Sequence, residues 1–284
     1  MDQKETIQKL ISELPEIIKS AEYDEFYGYQ LDSKGEFYDP NIVEHLMHKL
    51  LKAYGFDLEE TKKHILAILK WRKHFDPISA AFIEKHDPKF KKIGALSLNK
   101  DGGACEKVIT WNFYGTIDDP NEVFGHVDEF IRWRVGLMEQ ALQLLQFDDS
   151  TNNYMVQVHD YKGASLFSMT SSAKKASTSI IKLFGDYYPE VLSKKYFVNV
   201  PFLMSFLFNA FKSFVAVETR NKLTMMTNGS QLVDYIQGSG IPAMYGNKGG
   251  KSLDDIRIVF DRSKYKLPDY VAYLVEEKLS NTVD

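Results

Sequence analysis

The stretch MVQVHDYKGASLF, residues 155–167, carries the strongest prediction of fold and of a binding site in this sequence. It alternates between an apolar face and a face with polar rings, as in a β-strand whose successive side chains point in opposite directions. One face carries Val156, Val158 and Asp160. The other carries Met155, Gln157, His159 and Tyr161. A strand that only builds a core carries Val, Ile and Leu on both faces. His159 and Tyr161 lie about 7 Å apart along such a strand, so we predict that they contact a bound group.

The composition indicates a large globular chain. With 284 residues, of which 44% are hydrophobic, the chain can bury a full core in one large domain or in a small and a larger one. A net charge of −4 with scattered Lys and Arg argues against nucleic acid as the main partner. A single cysteine, Cys105, forms no internal disulfide, and the first residues contain no apolar signal core. No stretch approaches the roughly 18 apolar residues that span a bilayer, so we expect a cytoplasmic protein.

Residues 1–90 have the periodicity of helices. Apolar side chains recur every three or four positions in NIVEHLMHKLLKAYGF (41–56) and again in DLEETKKHILAILKWRKHF (57–75). Asp57 is suited to the N-cap of the second helix, and Asp76-Pro77 ends it. We therefore predict a helical subdomain over residues 1–90.

From residue 91 onward, strand-like and helical segments alternate. The strand-like segments are 107–115, 154–161, 196–200 and 222–227, and the helical ones are 123–145, 172–188 and 202–218. Such alternation predicts an α/β fold with helical crossovers. We place a ligand-binding domain at 91–265 and a carboxyl-terminal helix or tail at 266–284.

The helix predicted at 202–218 is apolar over most of its surface. Its polar residues follow one stripe, and its aromatic positions include Phe202, Phe206, Phe211 and Phe214. This apolar surface is wider than packing on one sheet requires. The residues alone leave two interpretations open: a deeply buried core helix, or a lid over an apolar cavity that can meet lipid.

Four segments carry a family resemblance. They are LLKAYGFDLEETKKHILAILKWRK, HDYKG, YYPEVLSKKYFVNVPFLMSFLFNAFKSFV and IPAMYGN. In this order they resemble the CRAL-TRIO lipid-binding proteins of the Sec-fourteen-like phosphatidylinositol transfer family, although Asn247 replaces the second glycine of the family's P-x-x-Y-G-G. The resemblance covers roughly residues 40–250. It implies a mixed β-sheet floor, a pocket for one phospholipid and a mobile apolar gate helix that opens at a membrane.

The same resemblance implies a phosphoinositide headgroup site after the gate helix. Thr219 and Lys222 match the family's Thr and Lys, and a hydroxyl with an ammonium group suits a phosphate. The basic pair that completes this site in the family falls on Tyr54 and Gly55, which cannot pair with a phosphate. We therefore expect phosphatidylinositol as a partner, bound by an incomplete site, and transient membrane contact.

Three departures from the family pattern introduce rings. The positions of His159 and Tyr161 are usually apolar in the family, and position 54 is usually basic. KAYGFD together with VQVHDYKG resembles the haem-binding fungal branch of the family. That resemblance implies Tyr161 as the axial ligand of ferric haem b (iron protoporphyrin IX), His159 beside the iron and Tyr54 in support. His159 then either donates a hydrogen bond to the phenolate or shares the iron as a second ligand. A tyrosinate is an established haem ligand, and a bound cation lowers the pKa of an oxygen ligand.

Two functions therefore remain open from the sequence. The first is a non-enzymatic haem-binding protein that also binds phosphatidylinositol, with Arg134 or Lys162 as candidate partners of the haem propionates. The alternative is a phosphatidylinositol transfer protein without haem, in which His159 and Tyr161 line the cavity. No residue pattern indicates the acid–base pair of peroxide chemistry, so we expect no enzyme. We favour haem, in a cytoplasmic protein that associates peripherally with the endoplasmic reticulum or other intracellular membranes.

Overall fold

The amino-terminal part of the chain consists of helices around one short hairpin. The computed structural model describes residues 2–164, 170–202, 220–260 and 267–281. The helices are α1 (Gln3–Ala21), α2 (Pro40–Ala53), α3 (Leu58–Phe75) and α4 (Pro77–Phe82), and the hairpin pairs β1 (Glu25–Phe26) with β2 (Tyr29–Gln30). The helices predicted at 41–56 and 57–75 are confirmed. The Asp57 side chain accepts a hydrogen bond from the Glu60 amide, as an N-cap does.

A mixed five-stranded sheet follows these helices. Its strands lie side by side in chain order: β3 (Gly94–Leu98), β4 (Val108–Phe113), β5 (Met155–Asp160), β6 (Leu192–Val198) and β7 (Leu223–Met225). β3 runs antiparallel to β4, whereas the remaining neighbours are parallel. This arrangement confirms the predicted α/β class with a mixed sheet. In the described ranges, no helix has the length and apolar character that crossing a membrane requires.

The remaining helices connect the strands or pack beside them. They are α5 (Pro120–Phe124), α6 (Val127–Leu142), α7 (Ser171–Tyr187), α8 (Leu253–Ile256) and α9 (Asp269–Ser280). The single helix predicted at 123–145 is in fact two helices, because His126 has non-helical backbone angles and acts as the N-cap of α6. The proposed boundaries after residues 90 and 265 stay predictions.

The aromatic positions of the predicted gate helix fall mostly outside the described residues. Phe202 is described and is 88% exposed. Phe206, Phe211 and Phe214 lie in 203–219, outside the described ranges. The choice between a core helix and a lid therefore stays a prediction.

The two faces of the sheet differ in chemistry. One face is apolar and packs against the segment 229–245; its core includes Trp111, Val158 and Tyr196. The opposite face carries polar side chains at the centre of β4 and β5, although these positions are also buried: Thr110, Asn112, Gln157 and His159. A polar and buried sheet face needs hydrogen-bond partners, so this face is the one that can serve a ligand.

Two of the segments that carry the family resemblance bind each other on the apolar face. Asp160, in HDYKG, accepts a hydrogen bond of 2.7 Å from the Tyr245 hydroxyl, in IPAMYGN. It also accepts one of 2.8 Å from the Asn199 amide group. Asn247, which replaces a glycine of the family pattern, donates to the carbonyls of Gly238 and Ile241. These contacts fix the end of β5, where Tyr161 follows.

A buried ionic network joins the amino-terminal helices to α6. The Arg72 guanidinium of α3 donates to both carboxylate oxygens of Glu25 in β1 and to both of Glu139 in α6, at 2.7–3.0 Å. All three side chains are fully buried. The Tyr188 hydroxyl also donates to Glu139. Each carboxylate thus receives several charge-assisted hydrogen bonds, which are the strong kind.

Replacing Arg72 with Met should destabilise the protein by about 3–5 kcal/mol, because two buried carboxylates would lose their cation. Urea unfolding followed by circular dichroism measures this change. Lys73→Met is the matched control: its pair with Glu22 is exposed, so its effect should stay within about 1 kcal/mol. Equal effects of the two substitutions would contradict a special role for the network.

Candidate functional site

Parallel pairing brings the ends of three strands to one level. Asn112 of β4 lies beside His159 of β5, which lies beside Phe197 of β6. The Tyr161 amide donates to the Val198 carbonyl at 3.0 Å, so the ladder extends past the last residue of β5. The carboxyl ends of neighbouring parallel strands are a frequent place for ligands. The predicted pair, His159 and Tyr161, lies at this edge.

Four rings meet there and form what we call the ring cluster: Tyr114, His159, Tyr161 and Phe197. The Tyr114 ring centroid lies 5.6 Å from that of His159 and 5.7 Å from that of Tyr161. The Phe197 centroid lies 5.4 Å and 6.3 Å from the same two rings. Neither Tyr114 nor Phe197 is predicted as a site residue from the sequence. Tyr114 directly follows β4, as Tyr161 follows β5, and only strand pairing reveals that the two are neighbours.

Two glycines allow the turns after β4 and β5 to touch. A Cβ atom on Gly115 would lie 1.9 Å from the Lys162 carbonyl oxygen, so a side chain cannot fit there. Gly163 has a φ of +88°, a backbone conformation that favours glycine. A Cβ atom there would lie 3.2 Å from the Gly115 carbonyl oxygen. This close backbone approach holds Tyr114 beside Tyr161.

Two buried or partly buried cations flank the ring cluster. Arg134 of α6 is 2% exposed, and its guanidinium carbon lies 5.1 Å from the Phe184 ring centroid. Among the described residues its Nη1 has no hydrogen-bond partner. Lys195 of β6 lies with its Nζ 5.5 Å from the Phe197 ring centroid. Within the part of the chain that the structure describes, neither cation forms an ion pair with a carboxylate, and Asp160 is engaged on the other face. A buried cation without an anion is costly, so this site is suited to an anionic ligand.

Burial shifts the pKa of each titratable group in the site toward its neutral form. Desolvation holds the pKa of His159 well below its usual value, and the charges of Lys195 and Arg134 act in the same direction. Desolvation lowers the pKa of Lys195 to about 8, and Arg134 contributes to the shift. Desolvation also raises the pKa of the Tyr161 phenol. Near pH 7 the imidazole and the phenol are therefore neutral, while Lys195 remains mostly charged.

The other predicted site residues lie elsewhere or are not described. Tyr54 follows α2, and its ring stacks on His64 at 3.9 Å, so the contact seen is with α3 and not with the ring cluster. Lys162 is exposed. Thr219 lies outside the described residues. Arg134, by contrast, lies close enough to Tyr114 and His159 for its charge to affect the pKa of both side chains.

Lys222 belongs to a second group of charges, which we call the lysine cluster: Lys49, Lys52, Lys222, Tyr154 and Glu190. The Glu190 carboxylate pairs with Lys52 at 3.1 Å and with Lys222 at 3.3 Å. The Lys49 Nζ lies 3.1 Å from the Tyr154 ring centroid, and desolvation lowers its pKa to about 7. Two amines thus pair with the Glu190 carboxylate, and the Lys49 amine donates to the Glu190 backbone carbonyl at 3.1 Å. Lys49 and Lys52 are supplied by α2, the helix that ends just before the positions where the family's basic pair is missing.

Comparison with known proteins shows the family of this chain. The CRAL/TRIO domain matches residues 64–247. The chain belongs to the CRAL/TRIO family. It is similar to "Phosphatidylinositol transfer protein SFH5" of Saccharomyces cerevisiae strain S288c, with 38% identity over 99% of this chain and 98% of the yeast protein. The protein of the same name from Candida albicans is 37% identical, over 94% of this chain and 87% of that protein.

A solved structure shows the same likeness in three dimensions. The crystal structure of Sfh5 superposes with a TM-score of 0.90 at 38% sequence identity and covers 99% of both chains. The resemblance to the Sec-fourteen-like phosphatidylinositol transfer family is therefore confirmed, and within it the chain is similar to the Sfh5 proteins. Within this CRAL/TRIO fold, the sheet face with the ring cluster is the candidate ligand site.

Replacing Arg134 with Met should raise the free energy of unfolding of the ligand-free protein by about 1–3 kcal/mol, because an unpaired buried cation is removed. The same change should weaken binding of an anionic ligand, a trade-off common at binding sites. Urea unfolding of ligand-free protein measures the first effect. Arg132→Met in the same helix is the control, since Arg132 pairs with Glu84 and stacks on Phe75; it should destabilise. A destabilising Arg134→Met would show that Arg134 is satisfied within the fold.

Proposed function

We propose that this chain is a non-enzymatic haem-binding protein that holds ferric haem b on the polar sheet face, with Tyr161 as the iron ligand. The observation that carries the proposal is that two cations beside the ring cluster, Arg134 and Lys195, have no carboxylate partner among the residues that the structure describes. A haem presents two carboxylates and a broad apolar ring system, which match this combination of cations and aromatic rings. The resemblance to the haem-binding branch supports the same ligand.

The residues of the site fit haem in three respects. The rings of Tyr114 and Phe197 offer apolar contact, Arg134 and Lys195 offer partners for the two propionates, and the Tyr161 phenol offers an oxygen ligand. When bound, the group supplies a ferric iron that favours an anionic oxygen ligand. Arg134 also contributes the unpartnered Nη1, a donor directed at no protein acceptor within the described ranges.

His159 has a role that follows from its pKa. Because the pKa of His159 lies well below its usual value, the imidazole is a weak base in this site. The proton that Tyr161 loses on binding a cation would therefore leave for solvent and not stay on His159. The neutral imidazole can donate one hydrogen bond and accept another. We propose that His159 orients the Tyr161 oxygen and the ligand, and that it carries no charge.

Tyr161→Phe should abolish the absorption bands of tyrosinate-ligated ferric haem, since the phenol oxygen is lost while the ring is kept. The visible spectrum and the iron content of purified protein, with and without added haem, test this. Tyr196→Phe is the control, because Tyr196 lies on the opposite face of β6. An unchanged spectrum in Tyr161→Phe would refute the ligand assignment. Wild-type protein that stays colourless after haem is added would refute the proposed function.

A second candidate function is phosphatidylinositol binding and transfer. The relatives named above are phosphatidylinositol transfer proteins, and the lysine cluster supplies the amines that a phosphate requires. Lys52 and Lys49 would take the place of the basic pair that falls on Tyr54 and Gly55. We propose that such a protein resides in the cytoplasm and meets the endoplasmic reticulum or other intracellular membranes transiently, with the exposed Phe202 near the contact.

Lys222→Met should lower the rate of phosphatidylinositol transfer between vesicles about tenfold, because a charge-assisted hydrogen bond contributes about 1.5–3 kcal/mol. Transfer of labelled lipid from donor to acceptor vesicles measures the rate. Lys63→Met, which alters an exposed lysine of α3, is the control and should leave transfer unchanged. Haem content should be the same in both variants. Equal transfer by Lys222→Met and wild type would exclude the lysine cluster as the headgroup site.

A further inference from the structure

Three polar side chains form one row across neighbouring strands of the ligand-facing sheet side. Thr110 of β4 lies beside Gln157 of β5, and Gln157 lies beside Lys195 of β6. We call these residues the polar row. The row lies two residues before His159 along β5, a separation of about 7 Å. It therefore adjoins the ring cluster on the same face, deeper in the sheet.

The polar row is poorly supplied with hydrogen-bond partners among the described residues. Thr110 is fully buried, and its Oγ1 has no partner in the described structure. Gln157 is 4% exposed, and its Oε1 lies 3.5 Å from His159 Nε2, at the limit of a hydrogen bond. Lys195 has the Phe197 ring as its neighbour and, within the described ranges, no carboxylate. The unpartnered Thr110 hydroxyl and the desolvated Lys195 ammonium both disfavour the ligand-free fold, so packing alone does not account for the row.

The opposite face of the same strands carries the apolar side chains that a purely structural face would bury. There the neighbouring positions are occupied by Ile109, Val156, Val158 and Tyr196, which form an apolar core. The sheet is thus able to bury apolar side chains on these strands. On the face that carries the ring cluster, the same strands instead bury the three polar side chains of the polar row.

We propose that the polar row is a carboxylate subsite that binds one propionate of a porphyrin, so that the protein selects porphyrins with free carboxylates over their esters. This inference rests on the proposed haem function. The Lys195 ammonium, the Gln157 amide and the Thr110 hydroxyl each donate, and a carboxylate accepts through both oxygens. The three donors come from three adjacent strands, which hold them rigidly. Arg134 remains for the second propionate.

Binding of haem and of haem dimethyl ester to ligand-stripped full-length protein tests the subsite. The ester keeps the iron and the ring but removes both negative charges. Wild-type protein should bind haem at least tenfold more tightly than the ester, in titrations followed by the Soret band. Lys195→Met should lose about tenfold in haem affinity and should bind the ester as wild type does.

The neighbouring lysine provides the matched control. Lys194 is exposed, whereas Lys195 extends toward the ligand face. Lys194→Met should leave both affinities unchanged. Gln157→Glu, a second variant of similar size, should weaken haem more than the ester because it places a carboxylate in the row. Lys195→Met should also keep the Tyr161-dependent spectrum at full occupancy, which separates the subsite from the iron ligand.

Several results would overturn the subsite. Equal affinity of wild-type protein for haem and its ester would show that carboxylates are not recognised. Equal losses for both ligands in Lys195→Met would show a general effect on the pocket. Haem affinity unchanged in Lys195→Met, together with weaker extraction of phosphatidylinositol from vesicles, would show that the row binds a lipid phosphate. Failure of wild type to bind either porphyrin would refute the proposed haem function itself, and the subsite with it.

Discussion

Parallel pairing of β4, β5 and β6 is the constraint on which the site depends. Because these strands run in the same direction, their carboxyl ends stop at one edge of the sheet, and the residues that follow them become neighbours. Tyr114 and Tyr161 are far apart in sequence, and this strand direction brings them next to each other in space. The contact between Gly115 and the Lys162 carbonyl then fixes the two turns relative to each other. The ring cluster is thus a consequence of strand direction and of two small residues.

Two buried arginines of this protein differ in how completely their guanidinium groups are hydrogen-bonded. Arg72 is matched by two carboxylates and forms four short hydrogen bonds. Arg134, on the same helix as Glu139, has an unpartnered Nη1 and no carboxylate in the described structure. A fold that can satisfy one buried guanidinium completely has no structural need to leave another incomplete. This difference supports the proposed ligand role of Arg134, while Arg72 joins the amino-terminal helices to α6, the helix that carries Arg134.

Local periodicity in the sequence was sufficient to predict the strand that carries His159 and Tyr161 and the α/β class of the fold. The alternation in residues 155–161 placed His159 and Tyr161 on one face, and the segment order indicated the α/β class. The partners of this pair could not be predicted, because Tyr114, Phe197 and Lys195 join it through strand register, which depends on tertiary packing. Tyr54 illustrates the reverse case: the family pattern assigned it to the haem site, whereas its visible contact is a local stack on His64.

The two candidate functions use opposite ends of the same strands. The ring cluster follows the carboxyl ends of β4 and β5, whereas Tyr154, Glu190 and Lys222 precede β5, β6 and β7. The six residues of β5 span roughly 20 Å. A change of charge at one end therefore has little effect on the electrostatic potential at the other end. The lysine cluster contains its own carboxylate, Glu190, which balances part of its charge without a ligand. The ring cluster has no such internal anion among the described residues. The need for a bound anion is therefore greater at the ring cluster, and this asymmetry is the physical reason to rank haem ahead of the phosphoinositide.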